Sequence, residues 1–218
     1  MNIMCINWCE FFIQLGIGTL SSLLVFGLGF WISYEKYFRK KWQRLRELQE
    51  LGFVKSWDNQ KEAESQLLED IGKSSKIDIF TTRGGTFSNT DKNEIAKLLF
   101  KNKDFIDKRI LLSHPDNGFL PKRQKELEAA TKETVNDLKI EVKNSFEKLT
   151  KKFGENCVRQ HYENPVRYRL ILLEECMYIS QQLEDKCSQE SPIAKYNKDS
   201  FWYPILSAEF EGFWEKPV

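Results

Sequence analysis

Residues 11–34 form an unbroken run without a charged side chain, and Lys36, Arg39, Lys40, Lys41, Arg44 and Arg46 follow it at once. A hydrocarbon core about 30 Å thick is crossed by a helix of roughly 20 apolar residues, because such a helix satisfies its own backbone polar groups. The run is therefore expected to be one transmembrane helix. Residues 1–10 carry a single charged side chain, Glu10, so the basic flank lies on the far side of the run alone. The positive-inside rule then makes residues 1–10 a short extracytoplasmic tail and puts everything after Tyr34 in the cytoplasm. The expectation is a single-pass protein of the cell inner membrane. A cleavable signal peptide would need a basic leading segment, a shorter apolar stretch and a small-residue cleavage site, and none of these is present. Gly18 and Ser22 make one small-xxx-small pair that would allow two such helices to approach closely.

Behind the anchor, 41% hydrophobic and 13% aromatic residues across the chain are enough to bury a core. The aromatic residues continue to the end in Phe201, Trp202, Phe210, Phe213 and Trp214. The formal charge is +1, from 33 basic and 32 acidic residues, which argues against many simultaneous phosphate contacts. No general DNA binding is expected. The partners expected instead are membrane lipid at the basic cluster, further copies of the chain, and a nucleotide, another phosphate-bearing ligand or a protein. Cys5, Cys9, Cys157, Cys176 and Cys187 have no spacing typical of zinc or redox motifs, so they read as structural thiols. No metal and no cofactor is expected.

Residues 35–72 read as a juxtamembrane helical stalk, with Phe38, Trp42, Leu45 and Leu48 at steps of three and four. Gly52 breaks it, and a second amphipathic stretch through Ala63, Leu67, Leu68 and Ile71 runs to Gly72. An α/β domain is then expected over residues 73–218. Residues 77–81 read as a strand, 82–86 as a tight loop, and Glu94, Ile95, Leu98 and Leu99 as the apolar face of a helix. A second strand at 109–113 is broken at His114-Pro115-Asp116-Asn117-Gly118. One long helix is expected over 122–153, strands at 157–162, 166–173, 176–181 and 191–196, and a closing helix over 201–214. The fold class is α/β with a mixed sheet.

Three places suit chemistry: the loop at 81–86, the break at 114–118, which also lies beyond the carboxyl end of a strand, and the segment 159–174. Loop 82–86 lies beyond the carboxyl end of a strand, where ligands bind in wound sheets, and Thr82, Arg83 and Gly84 there could cradle a phosphate. The loop lacks the Gly-Lys-Ser/Thr ending of a nucleotide-binding P-loop, so a purely structural turn is the competing reading. In the third place Arg167 and Arg169 alternate with Val166, Tyr168 and Leu170, which sends both guanidinium groups from one strand face. Arg159 and His161 have the same spacing beside them. Arginine holds phosphate or carboxylate through two parallel bonds and keeps its charge at neutral pH. The competing reading is a solvated strand face whose arginines pair with Glu163, Glu174 or Glu175.

The run Arg167-Tyr168-Arg169-Leu170-Ile171-Leu172-Leu173-Glu174, followed by Met177-Tyr178-Ile179-Ser180, resembles the phospholipase D signature, His-x-Lys with Asp farther along and a strand ending in Ser. In that resemblance Arg167 takes the histidine position, Arg169 the lysine and Glu174 the aspartate. Residues 76–85 and 108–123 resemble strand-loop segments of phospholipase D-like domains without catalytic residues. The resemblance implies a phospholipase D-like α/β domain that keeps a phosphate site formed by Arg167, Arg169 and Glu174. A guanidinium with a pKa above about 12 cannot replace the nucleophilic histidine, so the implied site binds without catalysis.

Three functions remain open on these grounds. The first is a membrane-anchored sensor or effector with an inactive phospholipase D-like domain, a layout analogous to membrane-perturbing effectors of bacterial antiviral defence. The second is a membrane-tethered phosphodiesterase or nuclease acting as a dimer, with His161 or His114 as the substitute nucleophile. The third is a helical membrane scaffold without ligand.

Overall fold

The computed structural model describes residues 43, 46–89, 93–101, 107–131, 136–162, 168–181 and 190–216. The chain divides into two compact units, 1–49 and 50–218. In the first, Gln43 and residues 46–49 are helical, and Gln43 Nε2 donates to Glu47 Oε1 at 3.3 Å, one turn on. The apolar run at 11–34 and the stalk before Gln43 lie outside the described residues, among which no helix is long and apolar enough to cross a membrane.

The second unit is a mixed α/β structure built on one seven-stranded sheet. Its elements are β1 (Phe53–Trp57), α1 (Gln60–Lys73), β2 (Lys76–Thr81), α2 (Gly85–Ser88), α3 (Glu94–Lys101), β3 (Asp107–Ser113), α4 (Leu120–Thr131), α5 (Leu138–Phe153), β4 (Val158–His161), β5 (Tyr168–Leu173), β6 (Cys176–Gln181), β7 (Ile193–Asn197) and α6 (Trp202–Glu215). The strand order is β1-β7-β6-β5-β2-β3-β4. Strands β2, β3 and β4 run parallel, and β5, β6, β7 and β1 extend the sheet by antiparallel pairing.

Both faces of the central strands are covered, which is why β2 and β5 read as nearly continuous apolar runs. Ile77, Ile79, Ile171 and Leu173 face α1, α3 and α5 through Ala63, Leu67, Ile71, Ile95, Leu99 and Leu149. Phe80, Leu111, Leu170, Leu172 and Met177 face α6 through Leu206, Phe210 and Trp214. A smaller cluster of Leu120, Leu127, Leu138 and Val142 joins α4 to α5.

Two expectations are corrected. The helical stalk expected to reach residue 72 gives way at Leu51 and Gly52, and the domain expected from residue 73 already includes residues 53–72. Gly52 takes φ 77, a left-handed turn, and the following segment pairs with β7 as the edge strand β1. Helix α1 is then a core helix, with Ala63, Leu67 and Ile71 buried against the sheet. The long helix expected at 122–153 is two helices, because Asp137 caps the second by accepting from Lys139 N at 2.8 Å.

One charged network is set into the apolar layer. Asp78, 1% exposed within β2, lies beside Arg109 of β3. Arg109 donates from Nε to Asp78 Oδ1 at 2.7 Å and from Nη2 to Oδ2 at 2.8 Å, and from Nη1 to Glu211 Oε2 of α6 at 2.7 Å. Its guanidinium also lies 5.0 Å from the Phe210 ring and 5.5 Å from that of Trp214. Arg159 caps the same helix by donating to the Trp214 carbonyl. These contacts fix how α6 crosses the sheet.

Arg109→Ala leaves Asp78 buried without its cation and should destabilise the domain by about 3–5 kcal/mol, read from the urea midpoint of the full chain in detergent. Hydrogen bonds from Arg109 hold Glu211 below the ordinary carboxylate range. The folded value is the lower one, so the Glu211 contribution is complete above the ordinary value and is lost as pH falls through the depressed one. The urea midpoint should therefore fall below about pH 4, and Glu211→Gln should make that fall shallower.

Candidate anion site

Arg169 stands near the start of β5 on the face shared with Ile171 and Leu173, under α1. It is 3% exposed. Nη1 donates to Gln60 Oε1 at 2.7 Å, and among the described residues Nε and Nη2 have no hydrogen-bond partner. Burial pulls the guanidinium down to about 10. Among the described residues, a cation in that position is short of two acceptors and of a counter-charge.

The surroundings follow from register. Ser180 of β6 is directly opposite Arg169 and is buried, with Ile193 of β7 as its neighbour. Phe80 pairs with Leu170, so Thr81 at the end of β2 comes level with Arg169. Gln60 is the first residue of α1, placed by the Asn59 N-cap, whose Oδ1 accepts from Glu62 N at 3.1 Å. At its other end α1 is held by Asp70, which accepts from Tyr178 and Lys195. Burial works against the Asp70 charge, but the bonds from Lys195 and Tyr178 outweigh it and hold the carboxyl below its ordinary value. Asp70 thus carries a full set of partners, whereas Arg169 has one neutral partner among the described residues.

The other expected site residues are dispersed. Arg167 lies outside the described residues. Glu174 is in the exposed turn after β5 and accepts from Ser75 Oγ, at the end of the strand away from Arg169. The five residue steps from one to the other span about 17 Å of strand, so one small anion cannot touch both. Thr82 is buried directly after β2. Arg83 pairs with Glu141 of α5 at 3.3 Å. Gly84 takes φ 70 before the single turn of α2, and a Cβ there would meet Leu112 Cδ2 at 2.6 Å. Loop 82–86 is thus packed as a close structural turn, and the charge of Arg83 is already engaged.

His161 is buried on the α6 side of the sheet, with its ring centroid 4.9 Å from Phe80 and 5.5 Å from Phe213. It does not lie beside Arg169, as its strand spacing suggested, because the two side chains leave opposite faces of the sheet. His114 follows β3 and stacks on Tyr162 at 3.8 Å between centroids. Within one chain, His161 does not form a nucleophile-and-anion pair with Arg169. An open groove of about 540 Å³ beside α6, which includes Tyr203 and Ser207, also belongs to the far side. Among the described residues no cluster of three or more His, Cys, Asp or Glu could hold a metal ion.

Gln60 was not legible as a site residue, since it is 109 positions from Arg169 and sits in a segment that reads as stalk. Asp78 did leave a signal, as a charge between Ile77 and Ile79 inside an apolar strand, whereas Arg109 follows Asp107 and Lys108 at the charged start of β3 and left none.

No protein-family model matches the chain, and no curated protein matches its sequence. Among solved structures, its backbone is similar to that of TrmBL2, an archaeal chromatin protein described as showing a novel mode of DNA binding. The identity is 16%, the TM-score 0.42, and the match covers 98% of this chain and 70% of that one. At that TM-score the likeness carries no functional argument. The exclusion of general DNA binding is withdrawn, because near-neutral total charge does not rule out a local phosphate contact.

The lowered guanidinium value corresponds to a burial cost on the order of 3 kcal/mol at neutral pH. Because the folded value is below the unfolded one, that cost applies fully below about pH 10 and is relieved only as pH rises above it. Arg169→Met, which keeps the volume and removes the charge, should therefore leave the ligand-free domain as stable or about 1–4 kcal/mol more stable by urea unfolding. A loss of more than about 3 kcal/mol would show that the protein itself supplies the missing counter-ion.

Proposed function

We propose that the chain is a membrane-anchored sensor whose α/β domain binds a phosphate-bearing ligand at Arg169 and does not turn it over. The observation that carries the reading is the buried guanidinium with two donor nitrogens unpartnered among the described residues. An anion would satisfy both donors at once and supply the counter-charge, and charge-assisted bonds of this kind are about twice as strong as neutral ones. Arg169 is also the residue at the lysine position of the phospholipase D-like pattern, the position whose change to arginine keeps phosphate binding. A degenerate phospholipase D-like domain is the family proposed on that basis.

The geometry also suggests how occupancy would be sensed. Gln60, the single described partner of Arg169, opens α1, and only Asp58 and Asn59 separate it from β1. An anion that takes over the guanidinium changes what holds the first turn of α1. That turn is joined through β1 and Gly52 to the residues leading back toward the apolar run. Ligand binding therefore acts on the segment that connects domain to anchor.

The test is calorimetric titration of the full chain in detergent with inorganic phosphate, mononucleotides, cyclic oligonucleotides and short single- and double-stranded DNA. Each ligand is recovered and checked for cleavage. One ligand class should bind intact, and Arg169→Met should weaken it by at least about tenfold, the value of a hydrogen bond to a charged group. Cleavage of the ligand, or equal binding by both proteins, would overturn the reading.

A further inference from the structure

Helix α6 has an apolar stripe on the side away from the sheet. Leu206, Phe210 and Trp214 are buried inward, while Phe201, Trp202 and Ile205 are 60%, 43% and 43% exposed. Pro204 and Ala208 are exposed among them, and Glu209 is the first charged residue of the helix. A helix of a soluble domain normally turns a polar face outward, so the first two turns of α6 have the surface of a covered element. Phe201 and Trp202 meet each other edge to face, with centroids 5.5 Å apart.

The position of the stripe identifies its cover. The chain comes into the domain at Leu51 and Gly52, and Leu51 is itself 43% exposed. Gly52 packs so closely on Ser200 that a Cβ would overlap it, and the Gly52 carbonyl accepts from Asn197 N at 2.9 Å. Ser200 immediately precedes Phe201. Leu51 and Phe201 thus adjoin two residues in contact, Gly52 and Ser200, so the stripe begins beside the point where the chain enters the domain. The sixteen residues between the apolar run and Leu51 reach about 24 Å as helix and at most about 55 Å extended. Their six basic side chains favour an anionic lipid surface. Tryptophan and phenylalanine beside such a tether suit the boundary between headgroups and acyl chains, where an amphipathic indole is most at home.

We propose that the Phe201-Trp202-Ile205 stripe, with Leu51, docks on the membrane surface, so that the domain lies against the bilayer with the start of α6 inserted at the interface. The proposal rests on residues 11–34 being an anchor, and the test separates the two. The full chain is reconstituted in vesicles of plain or acyl-brominated phosphatidylcholine and phosphatidylglycerol. The fluorescence of single tryptophans is obtained by subtracting the spectra of Trp202→Phe and Trp31→Phe from that of wild type. Trp31 lies in the apolar run and reports the anchor.

The expected result is that brominated lipid removes more than about half of both the Trp31 and the Trp202 signal, since interfacial residues sit about 5–10 Å into the headgroup boundary. Quenching of Trp31 with an unchanged Trp202 signal overturns the docking and leaves the anchor standing. If Ile205→Ser then also lowers the oligomer mass, the stripe joins a second copy instead. Absence of quenching at both positions overturns anchor and docking together. Phe201→Ser should weaken Trp202 quenching while leaving that of Trp31 unchanged, which distinguishes insertion from unfolding.

Discussion

The bidentate pair between Asp78 and Arg109 is the contact on which the architecture turns. It joins the two central parallel strands side chain to side chain, and through Glu211 and the rings of Phe210 and Trp214 it sets α6 across them. Such a pair is not cheap, since both ions leave water, but its geometry is specific in a way that apolar contacts are not. With α6 seated on one face, α1, α3 and α5 close the other, and the middle of β5 is dry on both sides. The environment of Arg169 is a consequence of that closure.

The contrast between the two buried arginines is the central physical finding. Arg109 has two carboxylates and aromatic faces around it, and those bonds hold its proton more firmly than usual. Among the described residues Arg169 has one amide oxygen, and burial acts on it in the opposite direction. Proteins rarely bury a charge without a partner. The first arginine completes a structural joint, and the second, among the described residues, leaves two donor nitrogens without a hydrogen-bond partner.

Much of the fold was legible in the sequence. Strands β2, β3 and β6 and helix α6 followed from short β-branched or apolar runs with clear turns, because both-face burial leaves an unmistakable composition. Strand β1 was not, since Phe-Val-Lys-Ser-Trp is a short edge strand whose exposed positions look like those of a helix continuing from Leu45 and Leu48. That single misreading had a second effect. With β1 and α1 assigned to a stalk, nothing remained to cover the Arg169 face, and a solvated arginine row looked as plausible as an anion site. The helix break before Asp137 was hidden for a related reason, as α4 and α5 keep one charged periodicity on either side of it. The phospholipase D-like spacing, finally, is a pattern along the chain. In space it leaves Glu174 at the opposite end of β5 from Arg169.

The sensor reading requires the Arg169 guanidinium to be charged, buried and, among the described residues, without partners at Nε and Nη2. The most direct measurement is nitrogen-15 NMR of the arginine-labelled full chain, with the Arg169 Nε–H signal assigned by its absence from Arg169→Lys. The expected result is a signal that moves and becomes slower to exchange with solvent when the binding phosphate compound is added, and stays in place with a neutral analogue. A signal already protected and indifferent to every anion would mean that the chain supplies its own counter-charge, and the sensor reading would fall.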